Sequence, residues 1–477
     1  MPVGGRRTLL AVFLAMFTSS FAMSSANVIL PLLSERMNAS FIATQWVVIG
    51  YLLAVSCALV VGGHLSEIIG TRRLFLTGTL AFTLATAGAA FADHIAILAL
   101  ARTIQGMGAG ALLSAGLALV RQVSTPTSLP LNVGLVGSMS SLGTASGPVG
   151  AGVLAEIWGW QAIFLANVPI GLIALALGRV SLPPARPVAL DGRGFDCVGA
   201  LLVTLVISSL VLTIRSLENP GVHALALAAM TLVATLALRR SMRAARRPVI
   251  DPAHLSDPQL RVDLTANFLI SCVIMASLVV GPYYLIEGLG LAVSHAGLIM
   301  AASPMAVAFT SAIASRTVRL RGARTTSVAG LGIQTAGCVG MACLPWSWGA
   351  EGYLAWLLVT AVGYGVFASS NNSAVMLKAS LDDAGRISGL LHLSKTMGLL
   401  VGATMMSIIF AWAAPIAQFD PLSPQAAERG LNAVYTVAAA LTASALIMRL
   451  RQARPDPVEG SQYGAVSTRF NHPEKEK

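Results

Sequence analysis

Cations are scarce inside the apolar stretches of this chain, so the few that occur there are the first candidates for chemistry. Arg102 lies in Leu98–Gly108, about seven residues into an apolar run. An ionised group at that depth in lipid costs at least ~3 kcal/mol, so it faces a cavity or a partner unless it snorkels to the interface. We carry forward the cavity-or-partner reading. Gln105 follows one turn later on a neighbouring face. Lys395 is placed similarly in a later run, with His392 one turn before it. His392 is a candidate proton carrier, or a plain hydrogen-bonded histidine. Asn27, Asn371 and Asn372 are polar groups at apolar depth that either bind a ligand or join helices. Acidic residues lie only near the ends of the runs: Glu35, Glu67, Glu156, Asp263 and Glu287. Unpaired positive charge in a low-dielectric cavity favours an anionic ligand. No Ser/His/Asp arrangement and no metal-ligand spacing occurs, and no Gly-Lys dipeptide is present, so catalysis, metal binding, an ATP-binding phosphate loop and a cofactor are not expected.

The elements that must position these groups are membrane helices. The 477 residues are 55% hydrophobic and 11% charged, against about 25% charged in soluble domains. A span needs roughly 20 apolar residues, and fourteen stretches qualify: 9–33, 43–62, 74–92, 95–120, 131–157, 161–179, 197–214, 222–238, 262–286, 296–314, 326–346, 352–376, 387–413 and 431–448. Arg6 and Arg7 before the first run resemble a signal-peptide flank, but the run is too long for one. With the N-terminus in the cytoplasm, 26 of the 31 basic residues fall on that side; Arg36, Arg215 and Arg429 face out, and Arg102 and Lys395 stay within spans. That bias orients the chain with both termini inside. It also explains the net charge of +11 without nucleic acid. The five cysteines sit in apolar runs and read as small hydrophobes.

Two segments read as moving parts. Gly63–Arg73 is a short loop in which Glu67, Gly70, Arg72 and Arg73 either latch one conformation by ion pairing or merely serve the charge bias. Gly143, Gly147, Pro148, Gly150 and Gly152 break an apolar run in a way a soluble helix would not tolerate. In a membrane they let another backbone approach, as a seam between bundles or an ordinary small-residue contact. Gly70 and Gly322, each two residues before an arginine, are 252 residues apart; Gly143 and Gly147 recur as Gly398 and Gly402, offset by 255. The offset predicts two six-helix halves, 1–180 and 262–452, separated by a 181–261 insert with two helices and a basic loop, followed by a disordered tail at 453–477.

These residues resemble the major facilitator superfamily, in particular its 14-span drug:proton antiporter branch. Gly63–Arg73 looks like the family's loop motif, Leu98–Gly108 like the span-four motif with Arg102 as its coupling arginine, and Gly143–Gly152 like the span-five motif of exporters. Trp158–Gly171 resembles the stretch that follows. Asn27–Pro31 resembles the end of the span-one motif, and Trp46 with Tyr51 the start of span two, which adds both to the candidate cavity. Three positions depart from the pattern: Ala22 stands where an aspartate is usual, Ile68 replaces a basic residue, and Gln161 an arginine. Without the aspartate, coupling would use Glu287, Asp263 or His392, or be absent. The resemblance implies an all-α membrane protein, two six-helix bundles plus two extra helices, monomeric, that exports small amphipathic compounds such as drugs or antibiotics by proton antiport across the cell membrane. The alternatives are an exporter or exchanger of an organic anion or biosynthetic product, an importer or facilitator, and a non-transporting sensor.

Overall fold

A computed structural model describes residues 3–125, 128–183, 196–218, 221–244, 256–378, 384–414 and 423–452. Most of the 181–196 connector, part of the basic loop and nearly all of the tail lie outside these residues. Among them the chain is all helical. The order is α1 (Val3–Val28), α2 (Leu30–Arg36), α3 (Phe41–Ile69), α4 (Thr71–Ala90), α5 (Ile95–Val123), α6 (Leu129–Trp158), α7 (Gln161–Ser181), α8 (Cys197–Ser216), α9 (Val222–Ala244), α10 (Pro258–Pro282), α11 (Val293–Arg321), α12 (Ala323–Ala342), α13 (Gly349–Lys378), α14 (Ala384–Ala413) and α15 (Pro424–Arg451). A π-turn (Tyr283–Gly288) extends α10.

Fourteen of these helices have 20 or more residues. Twelve are apolar enough to cross a membrane by length and composition. The two that fall short, α6 and α12, are diluted by glycine, serine and threonine. The expected first span, 9–33, is two helices, broken at Ile29 with Pro31 opening the second. Proline is accepted there because a first-turn residue needs no N–H donor.

The halves repeat in detail. Gly70 ends α3 at φ +86° and Gly322 ends α11 at φ +82°, a backbone region that only glycine adopts cheaply. Two residues on, Arg72 donates to the Arg179 carbonyl at the end of α7 (2.9 Å), and Arg324 donates to the Leu450 carbonyl at the end of α15 (3.2 Å). Each cation neutralises exposed carbonyls at a helix C-terminus. A Cβ on Gly143 would strike the Phe17 carbonyl of α1, and one on Gly398 the Phe268 carbonyl of α10. Close packing of α6 on α1 is thus repeated by α14 on α10. The pair α8 and α9 packs through α8 against α3 of the first half and α14 of the second, and Arg215 donates to the Ile42 carbonyl (2.7 Å) and pairs with Glu218 (3.0 Å). Burial pushes the Glu218 carboxyl up and Arg215 opposes the shift.

The end carrying both termini is termed the terminal end, and the opposite end the far end. The halves meet at the far end. There Phe41 of α3 packs edge-on against Tyr283 (4.7 Å between centroids) and tilts against Phe410 of α14 (5.5 Å). A Cβ at Gly152 of α6 would strike the backbone at Ser294 of α11, and one at Gly297 the Pro148 carbonyl.

Candidate functional site

Behind that far-end contact lies a cavity of about 200 Å³ between the halves. The first half contributes Met23 and Ser24 from α1, and Ser140, Ser141, Thr144 and Pro148 from α6. The second half supplies the rest, from α10 to α15. Its lining mixes aliphatic side chains, hydroxyls, Gln334, and the rings of Tyr353, Tyr364 and Tyr435. Lys395 is the charged residue of the lining, and no carboxylate is among the lining residues. Toward the terminal end the α6 wall has open space at Gly137. Gly137 shares a face of α6 with Ser141 and Thr144, and a Cβ there would meet nothing within 4 Å. His392, one turn from Lys395, is exposed.

Arg102 is elsewhere. Its side chain is fully buried inside the first half, so it neither snorkels nor reaches the cavity. Nε donates to the Val47 carbonyl (3.1 Å), Nη1 donates to Gln105 Oε1, and the guanidinium lies 4.2 Å over the Tyr51 ring. Gln105 in turn donates to Thr86 (2.6 Å), and the Tyr51 hydroxyl donates to the Ser19 carbonyl (3.1 Å). Four helices, α1, α3, α4 and α5, are joined through one cation. The partner reading of Arg102 holds and the cavity reading does not: dipoles and a π-face, rather than an acid, surround it.

The other candidates also separate. Asn27, Trp46, Tyr51, Asn371 and Asn372 are not in the cavity lining. Asn27 is buried and donates to the Met23 carbonyl of its own helix (2.9 Å). Trp46 is half-buried, and Asn372 is exposed. Asn371 is buried and accepts from Arg449 Nη2 (2.6 Å). Arg449 also pairs with Asp263, and its Nε donates to Ser327 Oγ (3.2 Å). This network ties α10, α12, α13 and α15 at the terminal end. Arg449, read from the sequence as one more cation of the cytoplasmic charge bias, is therefore an internal ion-pair partner. In the loop motif Arg73 and Gly63 are exposed, and the Glu67 side chain lies outside the described residues. Arg72 caps α7 instead of serving only charge bias. The glycine segment serves two seams: Gly143, Gly147 and Gly150 face α1, while Pro148 and Gly152 meet α11 of the other half.

Sequence reasoning missed Gln334, Tyr353 and Tyr435. Their signal, polar atoms on otherwise apolar helices, was present but unremarkable without knowing which face looks inward.

A duplicated bundle of helices, sealed at one end around a cavity between its halves, defines a membrane transporter. The sequence model of the Major Facilitator Superfamily matches residues 12–403, and the chain belongs to that superfamily. It is a multi-pass membrane transporter and not an enzyme. The riboflavin transporter RibZ of Clostridioides difficile is 26% identical over 92% of this chain and 96% of its own length. The multidrug resistance protein Stp of Mycobacterium tuberculosis is 26% identical over 85% of this chain and 76% of its own. Among solved structures, a bacterial homolog of the human lysosomal transporter Spinster, in an inward-facing unoccupied conformation, superposes with a TM-score of 0.69 at 13% identity, covering 94% of this chain and 97% of that one.

Proposed function

We propose that the protein exports small amphipathic compounds from the cell by alternating access, as a 14-span member of the superfamily with both termini in the cytoplasm. The carrying observation is the cavity between the halves, closed at the far end and with open space at Gly137 toward the terminal end. With the termini inside, this is an inward-open state that loads from the cytoplasm. Rocking the halves about the cavity would open the Gly152–Ser294 seam and release cargo outward. A mixed lining of aliphatic, aromatic and hydroxyl groups suits an amphipathic guest. The drug-resistance relative supports efflux, and the riboflavin relative leaves room for a dedicated cargo.

Energy comes from proton antiport in this reading. The exposed His392 and the Asp263–Arg449 pair are the candidate proton carriers, since Ala22 offers none. Proteoliposomes holding the purified chain test this directly. Anionic, neutral and cationic amphipaths are added under an imposed pH gradient, with proton movement and tracer flux both recorded. Cargo-dependent proton movement is expected. Tracer flux without protons would leave a facilitator or exchanger, and no flux with any compound would leave a sensor.

A further inference from the structure

We propose that the cavity recognises its cargo as an organic anion, holding a single carboxylate, phenolate or equivalent group against Lys395, with Tyr353 and Tyr435 further along the wall beside the rest of the cargo. This deepens the transport reading above and rests on it.

Charge carries the first part of the argument. Lys395 is exposed on the cavity wall and has no ion-pair partner among the described residues. The acids that could neutralise it are engaged or absent from the wall: Asp263 pairs with Arg449, and Glu287 does not line the cavity. Arg102 is sealed in the other half and does not compete for an anion. An unpaired ammonium in a partly desolvated cavity rewards a negative guest and repels a positive one.

Unmet hydrogen bonds carry the second part. Gln334 is buried with Oε1 unpartnered, and the buried hydroxyls of Tyr353 and Tyr435, which approach each other and Ser277, complete no hydrogen bond of normal geometry. Such groups are uncommon in native structures and call for a ligand or water. Gln334 Oε1 accepts, and the tyrosine hydroxyls donate or accept, so these atoms suit polar groups along the body of the cargo while Lys395 meets its charge. All four groups belong to the second half, on α12, α13, α14 and α15. The grip on the anion therefore sits on one half, while Met23 and Leu278 on either side of the interface receive the apolar body. The seam can open without breaking the polar grip.

The test uses a matched trio on one ring system: 2-naphthoate, 2-naphthamide and 2-naphthylmethylammonium. Binding to the full-length protein in detergent is read by naphthyl fluorescence, and flux by proteoliposome uptake. Naphthoate should bind at least about tenfold more tightly than the other two. Lys395→Gln should erase that preference, while Lys395→Arg keeps it. Equal or tighter binding of the ammonium, a uniform loss for all three in Lys395→Gln, or no binding of any of the three overturns the proposal. Flux scores the transport reading separately: an anion that binds with Lys395 dependence but does not move sustains the anion site and sinks export of that class.

Discussion

The Arg102 guanidinium lies 4.2 Å above the Tyr51 ring, fully buried, with no carboxylate among its contacts. It is held by a π-face, the Val47 carbonyl and Gln105. A cation stabilised only by dipoles and a quadrupole depends on geometry, because no single opposite charge can compensate for a shift. That makes the Tyr51–Arg102 stack a rigid centre of the first half. It is also a sensitive one, since α1 joins it through the Tyr51 bond to Ser19.

Arg102→Ala should therefore abolish transport while leaving the protein inserted. It strands Gln105 Oε1, a loss of about 1–3 kcal/mol, while the Val47 carbonyl keeps its helical hydrogen bond. Arg102→Lys should not rescue, because an ammonium cannot reproduce two directed bonds and a planar stack. Uptake assays paired with melting in detergent check both points; near-normal export by the alanine variant would sink the assignment.

The Asp263–Arg449 pair predicts a coupling that single variants cannot show. Asp263→Ala leaves a buried arginine with the neutral partners Asn371, Ser327 and Gln452 and no counter-charge, which should cost about 3–5 kcal/mol. Asp263→Leu combined with Arg449→Met should be less destabilised than Asp263→Ala, because no charge is left unpaired. Additive melting shifts in a double-mutant cycle would contradict the pairing.

Gly152→Val should block closure at the far end. A side chain there meets the Ser294 backbone, which cannot move aside like a flexible side chain. Spin labels at the exposed positions Glu156 and His295 should report a longer distance in the variant than in the parent, with transport lost. An unchanged distance distribution would show that the seam tolerates the added bulk.

Gly322→Ala isolates backbone strain. Nothing lies within 4 Å of the added methyl, so the expected loss of about 1–3 kcal/mol comes from φ alone. Gly332→Ala, also in open space but in a helix with ordinary φ, should be neutral or mildly stabilising. A similar melting shift for both would argue against strain at Gly322.

Much of the architecture was legible in the chain because it is written locally. Apolar length marks a membrane helix wherever it occurs, so twelve of the long helices are apolar enough to cross where spans were expected, and Gly70 and Gly322 share the same positive φ at matching helix ends. The site was less legible. Arg102 stood out by its cost in lipid, yet the same cost is met by a cavity or by a buried nest of dipoles, and the sequence does not distinguish them. Trp46 and Tyr51 belonged to a motif, but the Tyr51 ring turns to the arginine and not to the cargo.

What the sequence alone determined is where the long apolar helices fall and which glycines lie where backbones touch, since each follows from residue type and spacing. Tertiary structure decided which polar groups share a space. Lys395, Tyr353 and Tyr435 line one cavity, and Asp263 meets Arg449 across 186 residues. Which face of a membrane helix looks inward depends on its neighbours, because lipid and a packed apolar core are alike to an apolar side chain.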